Sequence, residues 1–117
     1  MKKIAILGGS GRLGLYLNKE LKKKYKTIPS SRKSKLTSCD TTKMLSIKKF
    51  LYTYNPDIII NTIAVTSIEL CEKQSHKAFE INAKSISKIL KILPKTTYLI
   101  HISTDQVYPN GCGPFKE

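Results

Sequence analysis

Glycines at positions 8, 11 and 14, set directly between an apolar run and an amphipathic one, constrain this chain more than any other feature. Lys2 to Leu7 reads as a short buried strand, and residues 12 to 24 read as a helix. Leu13, Leu17 and Leu21 recur every four residues with Tyr16 beside them, while Lys19, Lys22, Lys23 and Lys24 take other positions. Within Gly8-Gly9-Ser10-Gly11-Arg12-Leu13-Gly14, Gly8 permits a sharp turn, Gly11 lets a phosphate approach the backbone, and Gly14 allows close helix–strand packing. The helix that follows offers free N–H groups and the positive end of its dipole to a pyrophosphate. An ordinary βα turn needs small residues too, so the glycines carry weight only through their place between strand and helix.

The rest of the chain continues the alternation. Tyr25 to Pro29 is a second strand, and the polar stretch from Ser30 to Asp40 has room for a tiny strand near Leu36. Thr41 and Thr42 are natural N-caps for a helix over residues 43 to 54, whose apolar stripe is Met44, Ile47, Leu51 and Tyr54. Asn55-Pro56 ends it, because a residue before proline is pushed out of the helical region. Asp57 to Ile63 is the clearest strand, since the β-branched run Ile58-Ile59-Ile60 suits a central parallel strand covered on both faces. A third helix runs from about Ser75 to Leu93, with Ala78, Asn82, Ile86, Ile89 and Leu93 on one face. Lys77, Lys84, Lys88, Lys91 and Lys95 form a solvated stripe on another. Asn82 is a polar residue on an apolar face, so it either braces neighbouring backbone or serves a site. Thr96 to Ser103 is the last strand. The order β-α-β-(β)-α-β-α-β implies an α/β fold, a Rossmann-like parallel sheet with helices on both faces. Ligands bind such sheets at the carboxyl ends of the strands.

Composition narrows the class further. The 117 residues, 40% hydrophobic and 25% charged, suit one globular domain. No apolar run approaches the roughly 20 residues of a membrane helix, and Gly8 and Gly9 cut the N-terminal apolar stretch too short for a signal peptide. We therefore expect a soluble, cytoplasmic protein. Cys39, Cys71 and Cys112 form neither a metal-ligand spacing nor an even disulfide set, and with only His76 and His101 no metal site is expected. The formal net charge is +13, yet Arg12 and Arg32 are the only arginines among 21 basic residues. Base readout and bidentate phosphate clamps favour Arg, so the lysine excess reads as solvated surface rather than a nucleic-acid footprint.

The sequence also speaks to nicotinamide choice. An acidic residue at the end of the second strand would hold the ribose 2′-OH of NAD. Between Leu21 and Cys39 there is no Asp or Glu; Ser31, Arg32 and Lys33 stand there instead. Arg32 can pair with a 2′-phosphate, which favours NADP with NAD still possible, although a basic loop in a lysine-rich chain would look the same.

Further segments carry a resemblance. After the glycine turn come Cys39-Asp40, then Pro56-Asp57-Ile58-Ile59-Ile60-Asn61-Thr62-Ile63-Ala64-Val65-Thr66, Cys71-Glu72 and Asn82. Ser103-Thr104-Asp105-Gln106-Val107-Tyr108 follows, with Gly113-Pro114-Phe115 and Glu117. In this order and spacing the chain resembles the extended short-chain dehydrogenase/reductases, in the dTDP-4-dehydrorhamnose reductase-like, sugar-nucleotide branch. The resemblance implies that Gly8, Ser10, Gly11, Arg12 and Leu13 cradle the cofactor phosphates and that Asp40 hydrogen-bonds the adenine. Asp40 also fits a plain role at the N-terminus of the next helix. By the same resemblance Ile63, Ala64 and Val65 pass beside the cofactor riboses. Family members carry small Ala residues where this chain has Thr62 and Ile63, a departure from the pattern. Thr104 matches the hydroxyl residue that polarises the substrate carbonyl, and Asp105 lies near the sugar; a strand-end turn would use the same residue types.

The family's proton donor is a Tyr with Lys four residues later. Tyr16, Tyr25, Tyr52, Tyr54, Tyr98 and Tyr108 are followed at that offset by Glu20, Pro29, Pro56, Ile58, Ile102 and Cys112. The chain thus resembles the N-terminal, NAD(P)-binding part of a reductase, residues 1–117, without the substrate lobe and the catalytic Tyr/Lys. The sheet is expected to be incomplete on its C-terminal side, leaving an apolar edge that calls for a homo-oligomer or a partner chain. The leading expectation is NADP-linked reduction of a nucleotide-linked 4-keto sugar in deoxysugar or surface-polysaccharide synthesis. A non-catalytic dinucleotide-binding regulatory subunit, or part of a nucleotide-sugar epimerase or dehydratase, remains open beside it.

Overall fold

The computed structural model describes residues 1–32, 37–63, 76 and 80–102. Four strands alternate with helices in these residues: β1 (Lys3–Leu7), α1 (Arg12–Leu21), β2 (Lys26–Ser30), α2 (Met44–Tyr54) and β3 (Ile58–Asn61). A π-helical turn (Glu80–Lys84), α3 (Ser85–Ile92) and β4 (Tyr98–His101) complete the order. The strands form one parallel sheet in the order β2-β1-β3-β4. This is the Rossmann-like α/β arrangement that the alternation predicts.

The topology decides where each helix goes. From β1 the chain steps one way to β2, then crosses back over β1 to β3, and onward to β4. Right-handed crossovers of opposite direction lie on opposite faces of a sheet. One face accordingly joins Ala5, Leu7, Ile28 and Ile59 of the sheet to Ile47, Phe50 and Leu51 of α2 and Ile89 of α3. The other face holds Ile4, Ile6 and Ile60, covered by Leu17 and Leu21 of α1. Ile58-Ile59-Ile60 does form a strand with a neighbour on each side, and Ile59 and Ile60 are buried.

Local details depart from the sequence expectations for identifiable reasons. α1 stops at Leu21 rather than at residue 24, because beyond Leu21 only lysines follow and none has a core to enter. Leu13 and Tyr16 are exposed, not part of the buried stripe. The first turn of α1 sits over the glycine turn instead of over the sheet, with Gly14 its one buried residue. Thr41 and Thr42 do not cap α2; its N-cap is Lys43, without a side-chain bond. Asn55 ends α2 in the left-handed region (φ 44°), not extended as a pre-proline residue should be, and donates to Leu51 O at 2.9 Å. Lys88 leaves the expected solvated stripe: its Nζ donates to Thr42 O at 2.6 Å, tying α3 to the loop before α2. Leu36, Ala78 and Lys77 lie outside the described residues; near Leu36 a single parallel bridge pairs Ser31 with Ser38. Asn82 falls in the π-helical turn, and its side chain is outside the described part. Among the described residues no helix is long and apolar enough to cross a membrane.

Candidate functional site

The glycine turn is built by contact with the strand ends on either side of it. Gly8 has φ +83°, a conformation that L side chains rarely adopt. A Cβ on Gly14 would stand 2.1 Å from Gly8 O, so only glycine lets α1 come down onto the turn. Gly8 N and Gly9 N both donate to Ser30 O at the end of β2, at 3.1 and 2.8 Å. On the other flank Thr62, just past β3, donates through N to Leu7 O at 3.0 Å. Gly11 differs from its neighbours. A Cβ there would meet only Gly8 O, at 3.3 Å, so open space lies above this backbone. Gly11 is also the N-cap of α1 and no side chain caps it, so the first-turn N–H groups of the helix keep their hydrogen-bonding capacity.

A cleft of about 310 Å³ opens at this point, lined by Gly8, Ser10, Gly11, Arg32, Asp40 and Ile63 among the residues expected from the sequence. Arg12 and Leu13 begin α1 beside it, exposed and without lining it. Ala64, Val65, Thr104 and Asp105 lie outside the described residues. The structure adds Ser31, Cys39, Thr41, Thr42, Thr62 and Ile81 to the walls. Of these, Ser31 had a sequence signal, its place beside Arg32. Thr62 and Ile81 reach the cleft through tertiary contacts, Ile81 by way of the π-helical turn.

Asp40 both folds the loop and faces the cleft. Its Oδ1 accepts from Thr42 N at 3.0 Å and from Thr42 Oγ1 at 2.6 Å, while its own N–H donates to Ser46 Oγ at 2.8 Å. Burial alone would raise its carboxyl pKa, but the two Thr42 hydrogen bonds and the charges of Lys43 and Arg32 outweigh that and hold it below the ordinary value. Next to it, burial first and the Asp40 carboxylate second push the Cys39 thiol up to about 11. Cys39 is therefore a protonated, apolar piece of wall rather than a nucleophile. Arg32 is exposed at the mouth, beyond the end of β2.

The cleft lies where β1 has β2 on one side and β3 on the other, with the two crossovers leaving on opposite faces. In open parallel sheets that is the crevice in which ligands are held. Sheet, crossovers and glycine turn together define a Rossmann-like α/β domain. Comparison with known proteins makes the assignment specific: residues 1–116 match the RmlD substrate binding domain, and the chain belongs to that family. It is 34% identical to the spore coat polysaccharide biosynthesis protein SpsK of Bacillus subtilis, over 100% of this chain and 41% of that protein. It thus spans about two fifths of that relative's length. The crystal structure of a hypothetical dTDP-4-dehydrorhamnose reductase from Sulfolobus tokodaii superposes with a TM-score of 0.85 at 32% identity, covering 100% of this chain and 44% of that one. The dTDP-4-dehydrorhamnose reductase of Bacillus anthracis, solved in complex with NADP, gives a TM-score of 0.68 at 30% identity, over 76% of this chain and 31% of that one.

Proposed function

We propose that this chain is the NADP-binding part of a reductase acting on a nucleotide-linked 4-keto sugar, in deoxysugar and surface-polysaccharide biosynthesis. The observation that carries the reading is the open space above Gly11, at an uncapped helix N-terminus and within the cleft that Arg32 and Asp40 also line. A helix N-terminus of this kind favours an anion such as a pyrophosphate. The relative solved with NADP supports the choice of nucleotide. NADPH, when bound, supplies the hydride for carbonyl reduction. The residues of this chain bind and orient. Gly8, Ser10 and Gly11, with the first-turn amides of Arg12 and Leu13, receive the phosphates. Arg32 pairs with the 2′-phosphate, and Asp40 accepts from the adenine. Ile63, with Ala64 and Val65, borders the riboses. Thr104 donates to the substrate carbonyl oxygen and stabilises the charge that grows there, with Asp105 beside the sugar. The protein acts in the cytoplasm, with a second copy or a partner chain.

Calorimetric titration of the 117-residue chain with NADPH and NADH tests this. NADPH should bind more tightly, and Arg32→Ala should weaken NADPH about tenfold, the worth of one charge-assisted hydrogen bond, while leaving NADH alone. A folded chain that binds neither nucleotide would sink the reading.

A further inference from the structure

Thr62 stands one residue beyond β3, where the chain leaves the sheet beside the glycine turn. Its backbone N donates to Leu7 O at 3.0 Å, which completes the ladder between β1 and β3. Its hydroxyl then adds a second bond to the same Leu7 O, at 2.7 Å, and approaches Gly8 O at 3.4 Å. The sheet does not need that hydroxyl, since its ladder bond is already made. The two carbonyls it meets lie on either side of the Gly8 dihedrals, the pair that turns the chain at φ +83°. The fit is close. A Cβ built on Gly8 would come within 2.5 Å of Thr62 Oγ1, so the glycine and the hydroxyl occupy one another's space.

Thr62 is itself held in place. Asn61 is buried, and its Oδ1 accepts from Ile63 N at 3.1 Å, so both residues flanking Thr62 share a bond that fixes this corner. Because that Oδ1 is the acceptor, Nδ2 faces His101 Nδ1 at 3.3 Å and must donate to it, joining the corner to the end of β4. The glycine turn is thus fastened on one flank by Ser30 O and on the other by a corner with little freedom to relax.

We propose that Thr62 is a positioning residue: its hydroxyl locks the peptide units on either side of Gly8, and so fixes the path of the glycine turn that lines the cleft. The consequence for phosphate binding rests on the dinucleotide reading above; the lock itself does not.

The test compares the wild-type chain with Thr62→Val, which keeps the branched shape and loses the hydroxyl, and Thr62→Ser, which restores it. Amide hydrogen exchange in the ligand-free protein is the first readout. In Thr62→Val the amides of Gly8, Gly9 and Gly11 should exchange about fivefold faster, the factor for one net hydrogen bond, while those of Ile28 and Ile47 stay unchanged. Thr62→Ser should return all three toward wild type. Titration is the second readout: Thr62→Val should weaken NADPH by a similar factor and leave 2′-AMP, which meets only the Arg32 and Asp40 end, unaffected. Unchanged exchange at the three glycines, no recovery with Ser, or a uniform acceleration across the sheet would overturn the proposal. A localised exchange change in a chain whose wild type binds no NADPH would uphold the lock and overturn the dinucleotide reading instead.

Discussion

The two faces of the sheet are built very differently. One is covered by α2 and α3, which pack on each other and bury Phe50, Leu51 and Ile89 against Ala5, Leu7 and Ile59. Among the described residues the other carries α1 alone, which rests on β1 and β2 and covers Ile4, Ile6 and Ile60. Register pairs Ile60 with Ile100 and Ile58 with Tyr98, so Tyr98 and Ile100 project on that second face. There they remain 75% and 47% exposed, since α1 stops short of β4. The asymmetry follows from direction. Two crossovers run toward β4 and one runs away, and handedness sends them to opposite faces. Covering a parallel sheet on both faces is the rule, and on this face the cover of α1 ends at β3, leaving Tyr98 and Ile100 of β4 exposed as a bare strip.

The comparison makes unequal predictions for substitutions on the two faces. Phe50→Ala should have the largest effect, a loss of about 3–5 kcal/mol in urea unfolding, because Phe50 is buried among residues of α2, α3 and the sheet. A loss below about 1 kcal/mol would mean that the two-helix face is not the main source of stability.

A smaller effect comes from the rim of the same face, where Asp40 and Thr42 tie the loop before α2. The folded carboxyl of Asp40 is held below its ordinary value, so its contribution is present above that value and lost as pH falls through the folded one. Thr42→Val removes the Oγ1 bond, so the Asp40 titration followed by NMR should move up and acid unfolding should begin at higher pH. A titration that does not move would show that the residue-42 backbone N–H and the charges of Lys43 and Arg32, not the Thr42 hydroxyl, hold the carboxylate.

The smallest effect belongs to the bare strip. Ile100→Ser should change stability by no more than about 0.5 kcal/mol, as for other exposed positions. A cost like that of Phe50→Ala would show that this strip is covered in solution.

Most of the architecture was legible in the sequence because it depends on local requirements. The glycine spacing, the β-branched run at Ile58-Ile59-Ile60 and the leucines of α1 each announce their element within a few residues. Of the residues the sequence singled out, Gly8, Ser10, Gly11, Arg32, Asp40 and Ile63 line one cleft, whereas Arg12 and Leu13 stand beside it. What escaped depends on distance along the chain. Leu13 and Tyr16 fit the helical stripe, yet the position of α1 over the glycine turn leaves them exposed. Thr41 and Thr42 have the chemistry of N-caps, but Asp40 takes Thr42 into a turn of its own. Lys88 belongs to a charged stripe by pattern and reaches Thr42 only because α3 packs beside α2.

By itself, then, the sequence determined the alternation of strands and helices, the parallel sheet that alternation requires, and the turn that only glycine can make. Hydrophobic period and backbone freedom are properties of neighbouring residues, so they survive being read in one dimension. The tertiary structure alone decided which helix covers which face, which apolar side chains stay bare, and that Thr62 meets Leu7 and Gly8. Those contacts join residues 54 and 55 positions apart, and only the folded sheet brings them together.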